Sequence, residues 1–258
     1  MYFDKEIVIQ LDMAGKGDFL FGLHSVIEAI RSGKEIEKIL IKKGLKGELF
    51  DELMQELESA DIVTQYVPME RLNRVTRKNH QGVVAFVSAV TYQNLEDVLI
   101  GIFEDAKIPL VLVLDGITDI RNMGAIARTA ECAGVNMIII PEKGGAPINA
   151  DAVKTSAGAL HNIPVCRVKN LFKSVEYLKN SGLNIVAATE KADDDYTSVD
   201  YTGPTAIIMG AEDKGVSAQI SKICDTDAKI PILGTISSLN VSVAAGVLLY
   251  EAVRQRHN

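Results

Sequence analysis

Three short stretches gather residues able to handle a charged or hydroxylic substrate. The first, LDGITDIRNMGAIARTAECAGV, carries Asn122 and, a little further on, Arg128. An arginine guanidinium is a planar, permanently charged fork suited to phosphate, and the free N–H groups at a helix start attract anions. The second, AIIMGAEDKGVS, sets Gly210 and Gly215 around Glu212. Two glycines let the backbone turn tightly and approach a ligand, with the glutamate as a polar anchor. The third, AKIPILGTISSLNVSV, has Pro231 and Gly234, then Ser237, Ser238 and Asn240. Ser237 or Ser238 suits a helix N-cap, because its hydroxyl accepts from free backbone N–H groups. Asn240 is a poor helix former that this reading places inside the first turn, and capping does not account for it.

Singly, each stretch has a plainer reading: an asparagine turn and a surface arginine, a strand-to-helix turn, a capped core helix. Other chemistries lack their patterns. GAEDKG does not match G-x-x-x-x-G-K-S/T, so no P-loop is expected. No G-x-G-x-x-G follows a strand, which leaves a nucleotide-dependent oxidoreductase without its fingerprint. Cys132, Cys166 and Cys224 are scattered with no C-x-x-C pair, so free thiols are expected and no metal site.

A formal net charge of −7 argues weakly against nucleic acid as a partner. The distribution argues the other way. Between Glu70 and Glu96 there is no acid, and Arg71, Arg74, Arg77, Lys78 and His80 cluster at the start of that interval. The cluster reads either as a solvated helix end or as a phosphate-contacting patch.

Hydrophobic periodicity supplies the elements that would hold these residues. Residues 1–17 form a leader with no recognisable targeting pattern. Residues 18–90 alternate: a helix through Val26, Ile27, Ala29 and Ile30, a strand at IEKILIKK, an acidic helix at GELFDELMQELESADI, a strand at VTQYVP, a basic helix at MERLNRVTRKNH and a strand at QGVVAFVSAV. Residues 91–107 look like a helical linker. From 108 to 258, apolar runs recur at IPLVLVLDGI, VNMIIIP, IPVCRV, LNIVAAT, TAIIMGAE and AKIPIL. Such runs with helices between them predict an α/β domain with a parallel sheet covered on both faces. No apolar run approaches the ~20 residues of a membrane span.

In order, N-x-G-A-x-x-R, G-x-E-x-x-G and S-L-N-V-S-V-A resemble the SpoU branch of the SPOUT methyltransferases, which methylate ribose 2′-hydroxyls of RNA. FGLHSVIEAI and NHQGVVAFV resemble the two ends of the substrate-binding domain that precedes the catalytic domain in that family. SSLNVSVAAGVLLYEAVRQR and LDGITDIRNMGAIARTAECAGV are most similar to members that act on guanosine in large-subunit rRNA. The resemblance implies a C-terminal α/β domain with a parallel sheet and a deep trefoil knot, preceded by a small α/β ribosomal-protein-like domain that captures RNA. It implies S-adenosylmethionine as cofactor, with no metal, bound against Gly210, Ile230 and Leu239 and near Thr189, Met209, Ala211, Gly215 and Pro231. It implies catalytic roles for Asn122, Arg128, Glu212, Ser238 and Asn240.

Arg128 would promote loss of the ribose proton, either as a base or as a charged group that holds phosphate and stabilises the alkoxide. Lowering an arginine by five pKa units costs about 7 kcal/mol, which favours the charged role. Ser238 would cap the last helix. The family's homodimer would cover that helix, with Ala244, Ala245 and Gly246 allowing close approach and Val243, Val247 and Tyr250 filling one face. A cytoplasmic protein is expected. The alternatives are a tRNA ribose methyltransferase and a non-catalytic RNA-binding factor of ribosome assembly.

Overall fold

The computed structural model describes residues 19–60 and 62–257. The expected leader, residues 1–17, lies outside them. The chain divides into two compact units. The first takes in the described residues up to Thr91 together with Pro147–Asp151, and the second takes in Tyr92–Ala146 and the rest of the chain from Ala152.

The first unit runs β1 (Phe19–Phe21), α1 (Leu23–Arg31), β2 (Ile36–Lys42), α2 (Glu48–Ser59), β3 (Thr64–Val67), α3 (Met69–Val75) and β4 (Val83–Val87). Its sheet has the order β1-β4-β2-β3. β4 is antiparallel to both its neighbours, and β2 is parallel to β3. Leu23, Val26 and Ile27 recur at helical spacing and bury one face of α1. That face packs with Leu53 of α2 on Ile39, Ile41, Val83 and Ala85 of the sheet. The basic helix expected over 69–80 stops at Val75. Thr76 is extended at φ −152°, and its hydroxyl accepts from Lys78 N at 3.3 Å, which starts a loop instead.

The second unit opens with α4 (Leu95–Glu104). Residues 91–107 are thus more than a tether, because Leu95, Leu99 and Ile102 belong to this unit's core. Then come β5 (Leu110–Asp115), α5 (Ile120–Cys132), β6 (Met137–Pro141), α6 (Ala150–Thr155, whose first two residues group with the first unit), β7 (Val165–Val168), α7 (Leu171–Asn180), β8 (Asn184–Ala188), β9 (Thr205–Gly210), α8 (Ala218–Ser221), β10 (Thr226–Ala228) and α9 (Val241–Arg256). The six strands have the order β10-β8-β9-β5-β6-β7, and every pairing is parallel. This is the expected parallel sheet. Val111, Val113, Ile139, Ile185 and Ile208 are buried, as strands covered on both faces require.

The last expected strand, AKIPIL, is displaced. The sheet takes Thr226–Ala228, Lys229 adds a single bridge to Asp195, and the chain then leaves. Pro231 has no N–H to continue a ladder. α9 packs against α5. Its C-terminal end is pinned by Arg256, whose guanidinium donates to the carbonyls of Tyr201, Ile108, Pro109 and Gly203 at 2.7–3.0 Å. Among the described residues no helix is long and apolar enough to cross a membrane.

Candidate active site

β8, β9 and β10 end side by side at Ala188, Gly210 and Ala228, and a cavity of about 360 Å³ opens beyond them. Ligands of open parallel sheets bind at such carboxyl ends. β9 runs into the loop Gly210–Gly215, which folds back on itself: Gly215 N donates to Ala211 O at 2.7 Å, with Gly215 at φ +67°. A Cβ on Gly210 would lie 2.0 Å from the carbonyl carbon of Gly215 and 2.1 Å from Val216 N. So Gly210 is glycine because the returning loop occupies its side-chain space, which is the tight-turn role expected of it. Asp115, at the end of β5, accepts from Ser217 N at 2.7 Å and anchors the far side of the loop.

The loop presents Glu212 to two asparagines from distant parts of the chain. Asn122 Nδ2 donates to Glu212 Oε1 at 2.9 Å, and Asn240 Nδ2 donates to the same oxygen at 3.2 Å. Asn240 Nδ2 also reaches Asn122 Oδ1 at 3.0 Å. Asn122 lies in the first turn of α5, where its N–H is capped by Asp119 at 2.8 Å. Asn240 is the N-cap of α9, accepting from Ser242 N at 2.9 Å. Ser238 therefore does not cap the helix. Asn240 stands just ahead of α9 at ψ 138°, outside helical geometry, and takes the role assigned to serine.

Arg128 is not brought to this junction. It lies about 9 Å further along α5 at 1.5 Å per residue, on a different face. It is exposed and makes no hydrogen bond or ion pair among the described residues.

Of the expected cofactor residues, Thr189, Met209, Gly210, Ala211, Gly215, Ile230 and Leu239 line the cavity, as do Glu212 and Ser238. Pro231 does not. It sits between Ile230 and Ile232, which do, and alternate residues of an extended segment point opposite ways. The sequence reading missed Val241, Ala244 and Leu248, whose helical spacing puts one stripe of α9 against the cavity. It also missed Lys191 and Lys214, which carry no signal beyond their place in loops after strands. Ala245 and Gly246, expected at a dimer contact, face inward: Ala245 is buried, and a Cβ on Gly246 would lie 3.5 Å from Thr129 of α5.

In the first unit, Arg74, Arg77 and Lys78 are exposed and unpaired with any carboxylate among the described residues. His80 differs. It is 3% exposed, its Nδ1 accepts from Gly82 N at 3.1 Å, and its Nε2 faces Asn73 Oδ1 at 3.0 Å. It braces the loop from inside and presents nothing to a ligand.

A parallel sheet with a nucleotide-sized cavity at its strand ends, beside a polar junction, defines an α/β domain that holds a small molecule for chemistry. Residues 109–250 match the SpoU rRNA methylase family, and residues 19–93 match the RNA 2′-O ribose methyltransferase substrate-binding family. The chain belongs to the SpoU rRNA methylase family. A Staphylococcus epidermidis protein assigned to the TrmH family of tRNA/rRNA methyltransferases is 37% identical over 92% of this chain and 96% of its own length. The SpoU methyltransferase AviRb of Streptomyces viridochromogenes, crystallised with AdoMet, superposes with a TM-score of 0.58 at 26% identity, over 93% of this chain and 90% of that one. An AdoMet-bound rRNA methyltransferase of Sinorhizobium meliloti does so at 0.58 and 26%, over 92% and 87%.

Proposed function

We propose that this protein transfers the methyl group of S-adenosylmethionine to the ribose 2′-hydroxyl of a guanosine in large-subunit rRNA. The observation that carries the reading is that Glu212 belongs both to the cavity lining and to the junction with Asn122 and Asn240. The cavity fits the cofactor. Its volume lies within the range of small-molecule sites, and Ile230, Leu239 and Leu248 suit an adenine ring. Glu190, Glu212 and Asp213 suit the cationic groups, and Lys191 and Lys214 the carboxylate. When bound, S-adenosylmethionine supplies a methyl group already activated by a positively charged sulfur.

The chain's own residues do the rest. Asn122 and Asn240 hold the Gly210–Gly215 loop through Glu212 and so set the cavity wall. Arg128, unpaired among the described residues, is available to a ribose oxygen and its neighbouring phosphate. As a charged group it favours loss of the hydroxyl proton to solvent by stabilising the alkoxide, whose oxygen would take the methyl group as the sulfur leaves as a neutral thioether.

The first unit, read as a ribosomal-protein-like domain, captures RNA through Arg74, Arg77 and Lys78. By likeness to the family, the second unit carries the deep trefoil knot and pairs as a homodimer. Exposed Leu233 (98%), Ile236 (76%), Val243 and Tyr250 support the pairing as an apolar surface awaiting a partner. The setting is the cytoplasm, where rRNA is made and modified.

Ribose-methylation mapping tests the reading. Purified protein and S-adenosylmethionine should add one 2′-O-methyl group to a large-subunit rRNA guanosine. Methylation of tRNA alone would move the substrate to tRNA. RNA binding with no transfer to any RNA would make the protein an assembly factor.

A further inference from the structure

One face of the sheet in the first unit carries rings and cations together. Register fixes its membership. Phe19 stands opposite Phe86 and Phe21 opposite Val84 across β1 and β4, while Lys38 stands opposite Phe86 and Leu40 opposite Val84 across β2 and β4. Residues directly opposite share a face, and alternate residues of each strand join them. The other face is filled by α1 and α2. Here only the seven-residue α3 lies over the sheet, and its Leu72 is buried with Leu40, Val67 and Val84. Phe19, Phe21 and Phe86 pack around that cluster, each partly buried. Their rings tilt against one another, with centroids 6.2 Å apart for Phe19 and Phe21 and 6.4 Å for Phe19 and Phe86.

The cations over them form no ion pair among the described residues, although the Glu37 carboxylate lies near enough to Lys38 to act on its charge. Lys38 Nζ lies 4.9 Å from the Phe86 centroid and Lys78 Nζ 5.7 Å from that of Phe21. Arg71 Nε is buried with no hydrogen-bond partner. Burial, and then the charge of Arg71, push the Lys38 ammonium below the usual lysine range. Among the described residues none of Lys38, Arg71 and Lys78 forms an ion pair. A surface where partly buried rings still show an edge or face beside cations that form no ion pair is complementary to a flexible polyanion with flat apolar faces.

We propose that this face is a stacking platform for unpaired bases of the RNA substrate, with bases on the phenylalanine rings and phosphates on Lys38, Arg71 and Lys78. The proposal rests on the RNA reading above and adds a site to it. Stacking a base is worth more than an exposed cation–π contact, so the lysines yield the ring faces and turn to the phosphates.

The test uses the full-length protein and a short unstructured RNA containing 2-aminopurine, whose fluorescence falls on stacking. Phe21→Leu and Phe86→Leu should each abolish the quench and weaken binding roughly 5- to 100-fold, with the salt slope unchanged. Phe86→Tyr keeps the ring and should bind as the parent does. Lys78→Gln should instead lower the salt slope by about 0.7. Parent-like binding and quench in the leucine variants would overturn the platform. So would equal weakening by leucine and tyrosine, which would mark the ring as packing. Unchanged quench with slower sedimentation would assign the face to a second copy. Methyl transfer by the parent, measured separately, reports on the underlying reading: the platform can fail while transfer stands.

Discussion

The side-chain amide of Asn240 is divided between two duties. Its oxygen caps α9 through Ser242 N, and its NH₂ group ties the helix start to Glu212 and Asn122. Serine at this position would keep a capping oxygen and lose the tie. Asn240→Ser should therefore leave the melting temperature within about 2 °C, while Asn240→Ala should cost about 1 kcal/mol from the lost cap. Both should cut methyl transfer steeply, and a serine variant with parental turnover would release Asn240 from the site. Arg128 can be probed the same way because its side chain holds no partner among the described residues. Arg128→Ala should lower methyl transfer at least ~100-fold while calorimetry finds S-adenosylmethionine bound as before. Parts of this were legible from residue types alone. Asn122 stands out at a helix mouth, Glu212 as a polar anchor between two glycines, and Asn240 as a poor helix former beside a helix start. Their meeting was not legible, because they come from widely separated parts of the chain. Nor was the capping residue, since serine and asparagine both cap and only backbone angles decide between them. His80 looked like one more surface cation in its run, and only its burial marks it as internal.

At the scale of elements, β9 and α9 carry the two sharpest constraints. Gly210 closes β9 where the returning loop passes within 2.0 Å of where a Cβ would be. Gly210→Ala should displace that loop, cost about 1–3 kcal/mol by overpacking and abolish cofactor binding, read by thermal melting and calorimetry. α9 ends in a polar cluster around one buried carboxylate. Glu251 is 6% exposed and accepts from Arg254 at 2.7 and 2.9 Å and from Gln255 at 2.8 Å. Its hydrogen bonds with Arg254 first, offset in part by burial, hold the carboxyl below the usual carboxylate range. A depressed carboxylate stabilises the fold above its unfolded pKa, and that stability is lost as pH falls through the folded value. Melting temperatures of parent and Glu251→Gln should therefore converge between pH 5 and pH 3, as the parent loses what the variant never had. The strands of this unit were the most legible elements, because LVLVL and MIIIP are continuous apolar runs. AKIPIL resembled them, yet its proline ends the ladder.

At the scale of the whole molecule, each unit has its own sheet and its own core. In the second unit the apolar side chains of Leu233, Ile236, Val243 and Tyr250 are exposed. If a second copy covers them, Leu233→Asp should shift sedimentation from dimer toward monomer at micromolar concentration. A parent that already sediments as a monomer would remove the pairing from the proposal. The reach of the sequence stopped at this level, because strand order is a matter of which distant segments meet. Nothing in LVLVL says that β5 will lie between β6 and β9. That order also has a consequence in time. One edge of β5 finds its partner soon, when β6 follows, but the other waits for Thr205–Gly210. At roughly 5–20 residues per second of synthesis, the central strand of the sheet keeps an unpaired edge for roughly 5–20 s on the ribosome. An apolar edge exposed that long is a template for wrong pairing, so the growing chain needs shelter while it is still attached to a ribosome.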